Sequence, residues 1–222
     1  MATKVLKYIH YKHQIVGKGK LQSLKGKIFE KPSSIIRTKP EQIKPRPWKS
    51  ADPQEMSLEN MRHGALVDHA LETWEVINEG QYDWEDGTSE KIFGLKQVGE
   101  VDVFLLLVRR EFGHLSVQKA MPVNIYAINE GLEMEVMERK RPFNVLHYQG
   151  IAYYREYSKT GHAFNLMHKN PLGNELIAWT YYDEERKKVI RIERHGESDF
   201  KAFTGTVISP LDFSEIMNNQ AD

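Results

Sequence analysis

From Leu176 to Phe203 the chain reads LIAWTYYDEERKKVIRIERHGESDFKAF, two alternating runs around a charged turn. Ile177, Trp179 and Tyr181 alternate with Ala178, Thr180 and Tyr182, and Ile190 and Ile192 alternate with Arg191 and Glu193. A period of two marks a strand with one dry face and one wetter face. A hairpin therefore organises the chain. Tyr181 opposite Ile190 and Trp179 opposite Ile192 set aromatic against β-branched side chains, a favourable cross-strand pairing. That register makes Asp183 to Lys188 the loop. It puts Arg191 and Glu193 on the face away from the large apolar groups.

Other β signals begin at Gly64. Leu71 to Asn78 is one strand, and Gln81 to Trp84 is another that runs into Glu85-Asp86-Gly87-Thr88, where Asp-Gly marks a hairpin turn. Lys91 to Gln97 and Val101 to Arg110 follow. The second of these is apolar on both faces, as a central or enclosed strand is. Glu111-Phe112-Gly113 turns the chain into His114 to Gln118. The second half repeats the scheme at an offset of about 67 to 75 residues. Gly131 answers Gly64, Phe143 to Leu146 answers Trp74 to Ile77, Gly150 answers Gly80, and Val189 to Glu193 answers Leu115 to Gln118. The pattern predicts a mainly β fold, α+β at the margin. Antiparallel β meanders in two related halves would form a sandwich or barrel-like body with few short helices. Residues 51–128 would be the first β unit and 129–222 the second, together one compact body.

Two helix starts are written into the chain. Asp52-Pro53-Gln54-Glu55 places a cap, an N1 proline and an N3 acid ahead of a short helix ending near Gly64. Ser209, Pro210 and Asp212 repeat that pattern near the C-terminus.

The net charge of zero conceals a polarity. Residues 1–50 hold 13 Lys or Arg against two acids, Glu30 and Glu41; residues 51–222 hold 18 basic and 29 acidic residues. Residues 1–50 read as a basic arm with a Pro-rich linker, a possible strand at Lys4 to Tyr11 and a turn-rich GKGKLQSLKGK. Lys18, Lys20, Lys25 and Lys27 could contact nucleic acid or an anionic membrane surface; alternatively the arm lies on its own acidic body. Lys44-Pro45-Arg46-Pro47-Trp48 could dock as an extended peptide, or cross its own domain with Trp48 as anchor. The absence of cysteine excludes disulfides and thiolate zinc sites. No apolar run exceeds Val103 to Val108, which leaves no transmembrane helix, and the first residues lack the apolar core of a signal peptide. A cytoplasmic protein without cofactor is the expectation.

The best site candidate is Tyr181 with Glu193 and His195, a potential acid and base, beside Arg194 as an anion binder. The competing reading is a cross-strand ion pair with a capping histidine. His10 and His13 would share a face of a helix and could hold a metal, or lie on opposite faces of a strand, with no carboxylate nearby in sequence; the pairs His63/His69 and His162/His168 are six apart, roughly 20 Å along a strand and too far for one metal. No metal site is expected. Tyr148, Tyr153, Tyr154 and Tyr157 near Arg155 could stack bases from a sheet face, but the acidic body favours packing.

Four pieces of the chain, taken together, are similar to a family. They are Arg62-His63-Gly64 with Trp74-Glu75-Val76; Tyr82-Asp83-Trp84 on to Phe93-Gly94-Leu95; Tyr153 to Gly161; and Trp179 to Tyr182 with Ile192-Glu193-Arg194 and Phe203-Thr204-Gly205. In order and spacing they resemble the bacterial domain of unknown function family 4178, over roughly residues 60–215. The family pattern has an aromatic residue after Glu-Arg, where this chain has His195. The resemblance implies a soluble bacterial protein, sometimes encoded near polyamine-synthase-like or membrane-protein genes, and brings no catalytic residues to carry over. The resulting expectation is a non-catalytic binding or assembly module whose sheet surface holds a protein partner or a second copy. The alternatives are an anion-binding protein acting through the arm, and an enzyme built on Tyr181, Glu193 and His195.

Overall fold

The computed structural model describes residues 43–48, 57–169 and 171–218. Its contacts divide the chain into Met1–Pro40 and Glu41–Asp222, and every element below belongs to the second unit. Lys18, Lys20, Lys25, Lys27, the strand expected at Lys4 to Tyr11, His10, His13 and the helix start at Asp52 lie outside the described residues.

Among the described residues a 3-10 turn, Leu58–Asn60, precedes β1 (Leu66–His69), β2 (Glu72–Trp84), β3 (Ser89–Gln97), β4 (Val103–Glu111) and β5 (His114–Val123). Helices α1 (Ile125–Ile128) and α2 (Leu132–Arg139) come next. Then follow β6 (Val145–Tyr148), β7 (Ile151–Asn165), β8 (Asn174–Tyr182), β9 (Lys188–His195) and β10 (Asp199–Ile208). A second 3-10 turn, Pro210–Asp212, leads into β11 (Phe213–Met217). Ser209 caps that turn in a capping box with Asp212, as its sequence predicts.

Each of β2–β5 and β7–β10 is an antiparallel meander. β5 pairs with β10 and β2 with β7, so the eight strands close into a barrel in the order β2-β3-β4-β5-β10-β9-β8-β7. Closure removes the sheet edges of those strands. β1 and β11 extend one side outside the ring, and β6 extends the other. The hairpin register is the expected one, Trp179 opposite Ile192 and Tyr181 opposite Ile190.

The two larger apolar cores lie outside the ring rather than in it. Trp74, Val76, Phe93, Leu95, Phe104 and Leu106 pack beneath the first 3-10 turn, β1 and β11. Trp179, Tyr181, Ile190 and Ile192 pack beneath α1, α2 and β6. The face carrying Arg191 and Glu193, expected to be the wetter one, is the barrel interior, and both side chains are buried.

Two β-bulges decide which residues point in. β2 shifts register between Val76 and Asn78, so Trp74 and Val76 face out while Tyr82 and Trp84 face in. β7 shifts between Arg155 and Tyr157, so Tyr153 faces out and Tyr157 faces in. An extra residue inverts a strand's sidedness from that point on. Leu71 to Asn78 and Gln81 to Trp84, expected as two strands, are therefore one bulged strand. The described end of the segment expected to be helical up to Gly64 is only the short 3-10 turn.

Each closing seam contains a glycine that has no room for a side chain. A Cβ on Gly161 would run into the Asp83 carbonyl of β2, and one on Gly205 into the Lys119 carbonyl of β5. Gly161→Ala and Gly205→Ala should each destabilise the protein by about 1–3 kcal/mol, because a backbone neighbour cannot move aside. A fall in urea midpoint without a change in slope would show it; unchanged midpoints would mean the seams are not closed as described.

Candidate functional site

The barrel interior holds a chain of charges running inward from one mouth. His195 Nε2 lies 2.9 Å from Glu193 Oε2. Arg191 Nε donates to Glu193 Oε1 at 2.7 Å, and Arg191 Nη1 donates to Glu90 Oε2 at 2.8 Å. Glu90 stands on β3, across the ring from β9. Its cross-strand neighbour on β4 is Arg109, which bonds the Tyr157 hydroxyl and pairs with Glu111 at the far end. Tyr82 donates to Glu193 Oε2 at 3.1 Å. The Arg191 guanidinium lies over the Tyr82 and Trp84 rings, at 5.2 and 5.5 Å from their centroids.

Burial alone would push Glu193 toward its neutral form. Arg191 beside it, with donors from His195 and Tyr82, outweighs burial and holds its carboxyl below the usual range. Burial and then the Glu193 charge push the Tyr82 hydroxyl well above its ordinary value. Because Glu193 is an anion that can only accept, the proton on the shared His195 nitrogen belongs to Nε2. Nδ1 is the ring nitrogen that does not bond Glu193, on a residue that lines the mouth.

At that mouth a cavity of about 220 Å³ gathers side chains from six strands. Tyr82 and Ile92 line its inner part, and Asn78, Asn165, Asn174, His195 and Lys201 its polar wall. A shallower cavity of about 420 Å³ continues outward and shares Asn174, His195 and Lys201. Lys201 is half exposed and 3.9 Å from Asp199.

The structure brings together two of the three expected site residues. Glu193 and His195 meet, but Tyr181 points to the outer side, where its hydroxyl donates to the Phe143 carbonyl. Tyr82 takes the place the sequence reading gave to Tyr181. Arg194 turns away from Glu193 and lines a separate cavity of about 240 Å³ with Glu85 and Glu175. Trp48 sits beside β3 with the Lys91 ammonium 5.8 Å from its ring. Its segment is tied down by the Arg46 amide on Asp83 and by Gln81 on the Arg46 carbonyl. Among the described residues no cluster of His, Asp and Glu has the arrangement of a metal site. Of the aromatic-rich stretch, Tyr153 is in the outer core, Tyr157 is in the barrel, and Tyr154 is exposed. No shared stacking face results.

Comparison with known families finds a match over residues 62–210 to one described as Domain of unknown function (DUF4178). No curated protein and no solved structure matches the chain.

Two stability measurements test the buried chain. Glu193→Gln should cost about 3–5 kcal/mol, since it leaves the buried Arg191 short of a counter-charge; a change below 1 kcal/mol would mean the network is solvated. Tyr82 ionises at higher pH in the folded state than in the unfolded one. Its contribution is therefore complete below about pH 10 and is lost as pH rises beyond that. Tyr82→Phe should flatten alkaline unfolding followed by circular dichroism.

Proposed function

From the premise that the chain belongs to DUF4178, a family described only as a domain of unknown function, we propose that it is a non-catalytic binding module whose barrel mouth takes a small polar ligand. One observation carries the reading: five strands deliver hydrogen-bonding side chains to one cavity, over a floor of buried charge to which His195 is bonded through Glu193. Buried ions are costly and do not arise from packing needs alone, so a network placed under a cavity is a functional-site candidate. The cavity of about 220 Å³ suits a ligand below drug size, extended by the outer cavity it joins.

Other readings have less support. A docked partner on a sheet face would have to displace the elements already covering both outer faces. A reaction centre built on Tyr181 lacks that residue at the mouth. Binding of nucleic acid or lipid through Lys18, Lys20, Lys25 and Lys27 remains a separate proposal on residues outside those described.

A duplicated origin for the two halves is a further proposal, supported by the parallel pairing pattern of β1–β5 and β6–β10 and by the bulge in both β2 and β7. The correspondence it favours sets Val145–Tyr148 against Leu66–His69, not Phe143 to Leu146 against Trp74 to Ile77.

The mouth reading is tested with a thermal-shift screen of small polar compounds on the whole chain, with hits placed by amide chemical shifts. Ligand at 100 times its Kd should add about 2.7 kcal/mol. The gain should vanish in an Asn174→Ala, Lys201→Ala double variant, whose substituted residues are exposed. Hits whose shifts map to the β6 or β11 edge and survive the double variant would overturn the reading.

A further inference from the structure

The buried chain alternates in sign: Glu90, Arg191, Glu193, and then His195 at the mouth. Its outermost member is a histidine, whose ring can carry one proton or two. When His195 carries a second proton, the next partner that continues the alternation is an anion. Nδ1 is then a second donor on a residue that lines the mouth, and Glu193 steadies the imidazolium through Nε2. Lys201 supplies a second cation at the same place. It pairs across the ladder with Glu193, which makes it a diagonal neighbour of His195 on the adjacent strand, and both line the same two cavities. Two acids near the mouth are already committed: Glu193 beneath it to Arg191, and Glu79 at its lining to Arg62 and Lys91.

Resting on the reading of the mouth as the binding site, we infer that its ligand carries a carboxylate or phosphate group, seated between His195 Nδ1 and Lys201 Nζ, and that binding takes up one proton onto His195. The proton comes from solvent and no covalent bond changes. The groups facing His195 make this specific. Glu193 on its own strand stabilises the added charge, and Tyr82 on β2 donates to the same Glu193 oxygen. Asp199 and Lys201 stand on β10, and Glu175 on β8. The two exposed acids, Asp199 and Glu175, oppose an incoming anion, so neutralising Glu175 should strengthen binding.

The probes are inorganic phosphate and succinate, titrated into the whole chain at pH 7.5 while the His195 imidazole ¹⁵N resonances are followed. The expected result is saturable binding of at least one probe, with both ring nitrogens moving to imidazolium values. Affinity should weaken by up to tenfold per pH unit on the alkaline side, as uptake of one proton requires. Lys201→Ala and His195→Gln should each lower affinity tenfold or more, and Glu175→Gln should raise it. Lys201 is half exposed, so its variant keeps the test usable if His195→Gln folds poorly. The tighter probe tells a carboxylate source from a phosphate one. Binding with His195 unmoved, or binding of neutral monosaccharides at the mouth with neither anion bound, overturns the inference and leaves the mouth reading standing. Failure of every polar compound at the mouth overturns both.

Discussion

One guanidinium joins the two sides of this barrel. Arg191 reaches from β9 to Glu90 on β3, keeps its Nε on Glu193, and lies over Tyr82 and Trp84 from β2. Arginine suits this position because its planar fork can serve two carboxylates and stack on rings, while a lysine ammonium would offer one point of charge. Removing it would take from Glu90 and Glu193 the buried cation they share, a far larger cost than the loss of one surface pair. Glu193 then fixes His195, and His195 shapes the mouth. The site thus depends on a contact made two layers below it.

That contact is possible because the apolar material is on the outside of the ring. Each meander has its own core, one under β1, β11 and the first 3-10 turn, the other under α1, α2 and β6. With hydrophobic burial supplied there, the space between the meanders is free to hold polar side chains. Inside there are two smaller apolar clusters, Ile92, Leu107, Ala120 and Phe203 in one, and Trp84, Leu176 and Ala178 in the other. The seam glycines belong to the same design, since Gly161 and Gly205 let two separately supported sheets approach until their backbones pair.

The fold was legible in the sequence where alternation ran unbroken. Trp179 and Tyr181 against Ile192 and Ile190 fixed a register that the structure keeps. Alternation says that two faces differ, but not which one meets water, and so Arg191 and Glu193 looked wet. Their burial requires Glu90, a hundred residues away in sequence, which local patterning cannot supply. Tyr82 was missed for a different reason. The bulge beyond Val76 reverses the sidedness of β2, and period-two reading carries no mark of an inserted residue. α1 and α2 were missed because four and eight residues give too few turns for a 3.6-residue period to show. Gly131, read as the counterpart of Gly64, stands at the N-cap of α2.

The charge sequence also extends past Glu90. Arg109 is its neighbour on β4, and Arg109 pairs with Glu111 near the opposite end of the ring. From mouth to far end the order is His195, Glu193, Arg191, Glu90, Arg109, Glu111, with the sign alternating whenever His195 is protonated. In a low-dielectric interior each member polarises the next, so a charge added at the mouth acts on groups well beyond its own contacts. A ligand of the kind proposed for the mouth would therefore bear on the same chain of charges that ties β9 to β3.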